Sequence, residues 1–455
     1  MGNLPSVLTG GERARLFPVL ADTSKEGRTL SILLACLQNV PEFGKAMLGS
    51  LDLSLGKRAS IETYTEVVLK NGLGAQKHRP DGLVVVDTSR TKWTALVEAK
   101  VGNADLTNDQ IESYLELAKI NGINAVITLS NQFASLPTHH PLTIKSSLTR
   151  KVALFHWSWG YVITLAHLLC KNGDVTDREQ LILLQELQRF LLHPSSGVKD
   201  FDQMPAAWSE LCAAVSSGAS INASLGVARE VVGAWHQALD HLTSQLSRQL
   251  DEQVAIKLGR PEAGDPALRL KESLGRLVDG ACLQNEILVP DAAAPIRVCA
   301  DLRMRSLTVS MKLQAPADRK TTKAKVSWLV RQLSKADPGD MYVRLLWPGR
   351  AGPTQYALAD LREAPEKSVT GRETVNLLSM EVVLVKDLGA KFAQRKTFVA
   401  ELLKAVPEFY DKAAEHLTAW QARPPKLSEE KAAPGSVSTE SLREDLEAEA
   451  LERQG

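Results

Sequence analysis

A chain of 455 residues exceeds the size at which a single hydrophobic core keeps growing, so two folded units and a tail are expected. Hydrophobic residues at 44% and charged residues at 24% are globular proportions, which excludes disorder as more than a local feature. The formal charge of +1 excludes a globally cationic nucleic-acid binder, so any such surface has to be a patch.

Cys36, Cys170, Cys212, Cys282 and Cys299 are scattered and form no CxxC pair. Their odd number argues against a disulfide framework or a zinc site, and they read as small buried hydrophobes. No basic segment followed by an apolar run opens the chain, and no stretch approaches the roughly 18 apolar residues that cross a bilayer. The expectation is a cytoplasmic protein with no membrane partner.

In chain order, Leu30, Leu33, Leu34, Leu37, Val40 and Phe43 recur at helical spacing, which predicts an amphipathic helix broken near Pro41. Ser60 can cap a second helix ending at Asn71-Gly72, on which Glu62 and Glu66 would share a face. Leu83 to Val86 and Trp93 to Val101 are β-rich runs separated by Thr88-Ser89-Arg90-Thr91, the pattern of a hairpin. A helix follows from Asp109 to Asn121, then buried strands at Ala125 to Leu129 and Val152 to Phe155, then a helix from Ser158 to Cys170. This order makes an α/β sandwich.

From Phe201 to Leu258 the pattern is helical, with Trp235, Leu239, Leu242, Leu246 and Leu250 as an apolar stripe. Strands near Val298 to Leu302, Leu307 to Leu313, Tyr342 to Trp347 and Met380 to Val385, with helices at Val326 to Leu333 and Lys391 to Trp420, predict a second α+β domain. Pro424-Pro425 and an acidic segment, with a short helix at Ser441 to Arg453, complete the chain. The expected division is 1–195, a connector at 196–260, an α+β domain at 261–423 and a tail at 424–455.

Phosphodiester hydrolysis calls for a divalent cation held by a few carboxylate oxygens, with positions left open to water. Glu98 and Lys100 are two apart on a predicted strand, so they project from one face while Val97 and Val101 point to the layer behind. A hairpin turning near Arg90 sets Asp81 opposite them.

These residues, Pro80-Asp81, Glu98-Ala99-Lys100 and the following Gln110-Ile111-Glu112-Ser113-Tyr114, resemble the PD-(D/E)xK nuclease superfamily over about 60–170. The resemblance implies a restriction endonuclease-like sandwich with a mixed central sheet. It implies a metal, Mg²⁺ with Mn²⁺ as substitute, on Asp81 and Glu98, and Lys100 on the attacking water. It also implies an accessory acid on an upstream helix, taken by Glu62 or Glu66, and a role for Gln110. The bare tripeptide recurs at Asp318-Arg319-Lys320 and Glu429-Glu430-Lys431, so the order of elements around Glu98 carries the likeness.

His139-His140 reads as an exposed loop, His156 as a hydrogen-bonded strand-end residue, and Trp157 and Trp159 as core. Lys320, Lys323 and Lys325 head the most basic local cluster, a candidate phosphate-binding patch. The expected function is a metal-dependent nuclease acting on nucleic acid, DNA ahead of RNA, in restriction or defence against invading nucleic acid. Cutting both strands would take two such sites, from a homodimer or a partner protein. The alternative is a non-catalytic nucleic-acid-binding or regulatory module on a nuclease-like fold, with Glu98 and Lys100 as a surface ion pair.

Overall fold

The computed structural model describes residues 4–17, 25–56, 58–71, 79–88, 91–134, 136–221, 226–369 and 375–421. The acidic segment 424–455 and its expected short helix lie outside the described residues. The chain is mixed α/β.

The first unit runs β1 (Leu8–Arg13), α1 (Lys25–Asn39), α2 (Pro41–Gly49), β2 (Ser60–Leu69), β3 (Gly82–Asp87), β4 (Lys92–Ala99), α3 (Asn108–Ile120), β5 (Ala125–Ser130), α4 (Ser146–Thr149), β6 (Ala153–Ser158), α5 (Trp159–Lys171) and α6 (Arg178–Leu192). Its six strands lie in sequence order in one sheet. β1 to β4 pair antiparallel, while β4, β5 and β6 are parallel, so the sheet is mixed as expected.

Alternation along the strands divides two cores. Ala95, Val97 and Ala99 of β4 face a core shared with α1, α2, α5 and α6, whereas Leu96 faces the core under α3. The expected break at Pro41 separates α1 from α2, with Pro41 at the first helical position, where a missing N–H costs nothing. Helix α6, which the sequence reading passed over, buries Leu184, Leu187 and Leu191 at helical spacing.

The helix expected from Ser60 is instead the strand β2, paired with β1 and β3. Ile61, Thr63, Thr65, Val67 and Val68 are β-branched, stiff at χ1 and better suited to a pleated surface than to a helix. Thr63 is fully buried and its hydroxyl donates to the Leu34 carbonyl at 2.9 Å, which seats β2 against α1. Glu66 takes a left-handed backbone angle, φ 52°, where the β1–β2 register slips.

The second unit runs α7 (Ala206–Ser216), α8 (Gly226–Leu250), β7 (Ala255–Ile256), α9 (Arg260–Gly264), α10 (Pro266–Gly280), β8 (Cys282–Leu288), β9 (Ile296–Asp301), β10 (Ser306–Gln314), α11 (Thr322–Gln332), β11 (Met341–Leu346), β12 (Thr354–Ala357), α12 (Leu358–Glu363), β13 (Ser379–Asp387) and α13 (Arg395–Lys412). Its antiparallel sheet has the order β12-β11-β13-β10-β9-β8-β7. Trp208 of α7 and Trp235 of α8 share one core with Val298, Val309, Val343 and Val382 of that sheet, so α7 and α8 pack as part of this unit.

The opposite face of the sheet is polar. Glu381, only 3% exposed, accepts from Ser310 at 2.8 Å and from Arg344 at 3.0 Å, and lies 3.7 Å from Arg297. Cys282 and Cys299 sit diagonally across β8 and β9, with Cα atoms 6.6 Å apart and their sulfur atoms in contact. That pairing corrects the reading of all five cysteines as isolated hydrophobes. Cross-strand neighbours depend on register, which Cys spacing does not encode.

Candidate active site

The site begins with strand register. Gly82 pairs with Val97, which places the preceding Asp81 level with Glu98. Gly82 is required here by close approach, since a Cβ on it would meet Leu34 Cδ1 at 2.9 Å and the Tyr64 carbonyl at 3.0 Å. A bare backbone at this point lets α1 lie directly on the strand that presents Asp81.

Asp81 Oδ2 accepts from the Ala99 amide at 2.9 Å, where the β3–β4 ladder ends. Glu98, on the α3 face and 1% exposed, accepts from Lys100 Nζ and from Gln110 Nε2, each at 2.6 Å to Oε1. Gln110 stands in the first turn of α3, capped by Thr107, and its amide also donates to the Tyr114 hydroxyl at 3.2 Å. Tyr114 in turn donates to the Arg79 carbonyl at 3.1 Å. Asp81, Glu98, Lys100 and Gln110 therefore converge at one end of the sheet.

The upstream acid differs from the expected pair. Glu62 is tied to Arg13 at 3.1 Å and to the Tyr64 hydroxyl at 3.0 Å, and Glu66 pairs with Arg79 at 3.7 Å. Both stand on β2, and neither contacts Lys100. The acid that reaches the site is Glu26, in the first turn of α1, with Oε2 3.4 Å from Lys100 Nζ. An acid in the opening turn of a predicted helix was the available signal, but the apolar periodicity begins at Thr29 and left residue 26 outside the predicted helix.

Burial pushes the Asp81 carboxyl up to about 8, reinforced by the Glu98 charge and opposed by the Ala99 amide. Burial works against the Lys100 ammonium, yet Glu98, Asp81 and Glu26 outweigh it and raise its pKa. The Tyr114 phenol is raised by burial and then by Glu98. The site is thus short of positive charge.

Among the described residues, Glu98 Oε2 is buried with no donor at hydrogen-bonding distance. An orphaned carboxylate oxygen beside a second crowded carboxyl suits a cation. Among the described residues, no group of three or more His, Cys, Asp or Glu side chains is arranged as a metal-ligand set. Mg²⁺ does not demand one, since it keeps several waters and commonly takes only one or two carboxylates from the protein. The residues present fit an ion held by Asp81 and Glu98.

The basic cluster divides. Lys320 is exposed, and Lys323 pairs with Glu366 at 3.2 Å. Lys325 is buried, donating to Asn376 Oδ1 at 2.6 Å and the Leu377 carbonyl at 3.1 Å, so it is closed to a phosphate backbone. Asp318-Arg319-Lys320 lies in a turn before α11, outside any strand pair.

The His139-His140 loop also differs from expectation. His139 is 5% exposed, with Nε2 2.8 Å from the Ala263 carbonyl in α9. His140 Nε2 meets Thr128 Oγ1 at 3.0 Å, and Thr128 meets His156 Nδ1 at 2.8 Å. Leu142 N donates to His140 Nδ1, which leaves that ring neutral, and His156 Nε2 faces the Gln132 carbonyl. Burial depresses them to about 3 and about 4 respectively. Trp157 and Trp159 are core, as expected, at 1% and 0% exposed. No described helix is long and apolar enough to cross a membrane. Comparison with known proteins gives no family model, no curated protein and no solved structure that matches the chain.

Proposed function

We propose that the first unit is a PD-(D/E)xK-type phosphodiesterase domain on a restriction endonuclease-like sandwich, cutting nucleic acid, DNA ahead of RNA, with Mg²⁺ or Mn²⁺. The observation that carries the reading is the buried Glu98 carboxylate, which has one oxygen shared by Lys100 and Gln110 and the other without a donor among the described residues. In this reading Asp81 and Glu98 hold the ion, which would supply a more acidic water and neutralise charge on the phosphate.

The chain's own residues do the remainder. Gln110 fixes the Glu98 carboxylate by a bond to Oε1, which keeps Oε2 free for the ion. Lys100, anchored between Glu98 and Glu26, presents an ammonium that can orient the attacking water and stabilise negative charge on the phosphate. Glu26 restrains that ammonium from the α1 side. Restriction or defence against invading nucleic acid is the proposed context, and the second unit is proposed to serve targeting.

The test is cleavage of duplex DNA with Mg²⁺, comparing wild type with Lys100→Ala. Cutting by the wild type that disappears in the variant supports the reading. Equal cutting by both would assign the activity to a contaminant or another site.

A further inference from the structure

We propose that Trp159 is a positioning residue for Lys100, setting the direction of the ammonium by holding the Lys100 peptide unit; this rests on the phosphodiesterase reading above. Lys100 is the first residue beyond β4, where the antiparallel β3–β4 ladder has ended and the parallel β4–β5 ladder makes its last bond. Two hydrogen bonds hold the peptide units on either side of it, one from that ladder and one from a side chain. The Lys100 amide donates to the Leu129 carbonyl at 2.8 Å, and the Trp159 indole Nε1 donates to the Lys100 carbonyl at 2.9 Å. Two residues later the chain turns through Gly102 at φ 68°. The indole bond therefore clamps the last residue before the chain leaves the sheet.

The residue type matters. Trp159 opens α5 directly after the Ser158 cap at the end of β6, and it is 0% exposed in the core under β4 and β5. A phenylalanine could fill much of that volume with no polar atom to satisfy. A buried indole N–H needs a partner, and here the partner is the backbone of the residue that carries the ammonium. Trp157 offers a natural comparison: it is 1% exposed in the same core, but its indole donates to Ser50 Oγ at 3.1 Å rather than to the backbone of a site residue.

The experiment compares Trp159→Phe and Trp157→Phe for Mg²⁺-dependent cleavage of duplex DNA, measuring kcat and KM separately. Trp159→Phe should lower kcat by about 10- to 100-fold with KM nearly unchanged, since displacement by about 1 Å at a reacting group costs on the order of 100-fold. Trp157→Phe should retain kcat within about threefold of wild type, because loss of one core indole away from the site disturbs no reacting group. Equal losses in the two variants, or none in Trp159→Phe, would overturn the proposal while leaving the phosphodiesterase reading intact. A wild type that cuts nothing overturns both. Should Trp159→Phe fail to fold, a benzothienylalanine at 159, which keeps the shape and removes the N–H, must show the same loss of kcat.

Discussion

Replacing Asp81 by Asn probes the charge balance of the site through stability alone. In the folded chain Asp81 holds its proton to about pH 8, against an ordinary value of 3.8. A carboxyl whose folded pKa is raised favours the native state below the unfolded value and loses that contribution as pH climbs through the folded value. Between those limits the native state binds the extra proton, so stability falls by about 1.4 kcal/mol per pH unit, to a ceiling of about 5 kcal/mol by pH 8. Partial exposure of Asp81 places the true figure below that ceiling. An amide keeps an acceptor for the Ala99 amide and carries no charge. Thermal melts without metal should therefore coincide for wild type and variant near pH 4 and diverge above it, with Asp81→Asn higher by on the order of 5–10 °C at pH 8. Millimolar Mg²⁺ should raise the wild-type midpoint and leave the variant unmoved. Parallel curves from pH 4 to 9, or equal response to Mg²⁺, would refute the charge argument.

Glu26→Gln should cut the cleavage rate by about 10- to 100-fold, the scale for losing a partner of an active-site group, whereas Glu62→Gln and Glu66→Gln should leave it nearly unchanged; kinetics of the three variants decide which acid serves the site. Gln110→Ala should weaken Mg²⁺ binding by about 10-fold in titration calorimetry, because the Glu98 carboxylate loses its restraint. Lys325→Ala should cost about 1–3 kcal/mol in urea unfolding by stripping the Asn376 and Leu377 oxygens of their donor, while Lys320→Ala should stay within about 0.5 kcal/mol. Glu381→Ala should destabilise the second unit by about 2 kcal/mol in the same assay, with Arg344 on β11 and Arg297 on β9 left without the carboxylate between them.

Local pattern carried much of this protein. The β3–β4 hairpin, the α3 helix, the buried strands β5 and β6 and the break at Pro41 all follow from periodicity and turn residues within a dozen positions, so Asp81, Glu98 and Lys100 could be brought together from the chain alone, while Gln110 was named by the family resemblance. What the chain alone could not reveal depends on pairing between distant segments. Ser60 to Leu69 carries a cap residue and acids four apart beside its β-branched run, and pairing with β1 and β3 sets the strand that turns Glu62 and Glu66 toward Arg13 and Arg79. Glu26 enters the site because Gly82 admits α1 against the sheet, a close approach that no spacing encodes. Lys325 looks like part of a basic patch until the 375–377 segment packs over it, and Trp159 becomes the anchor of Lys100 only once β6 delivers it beneath β4. Side-chain alternation is local and therefore readable, whereas the partner across a layer is set by how whole elements stack.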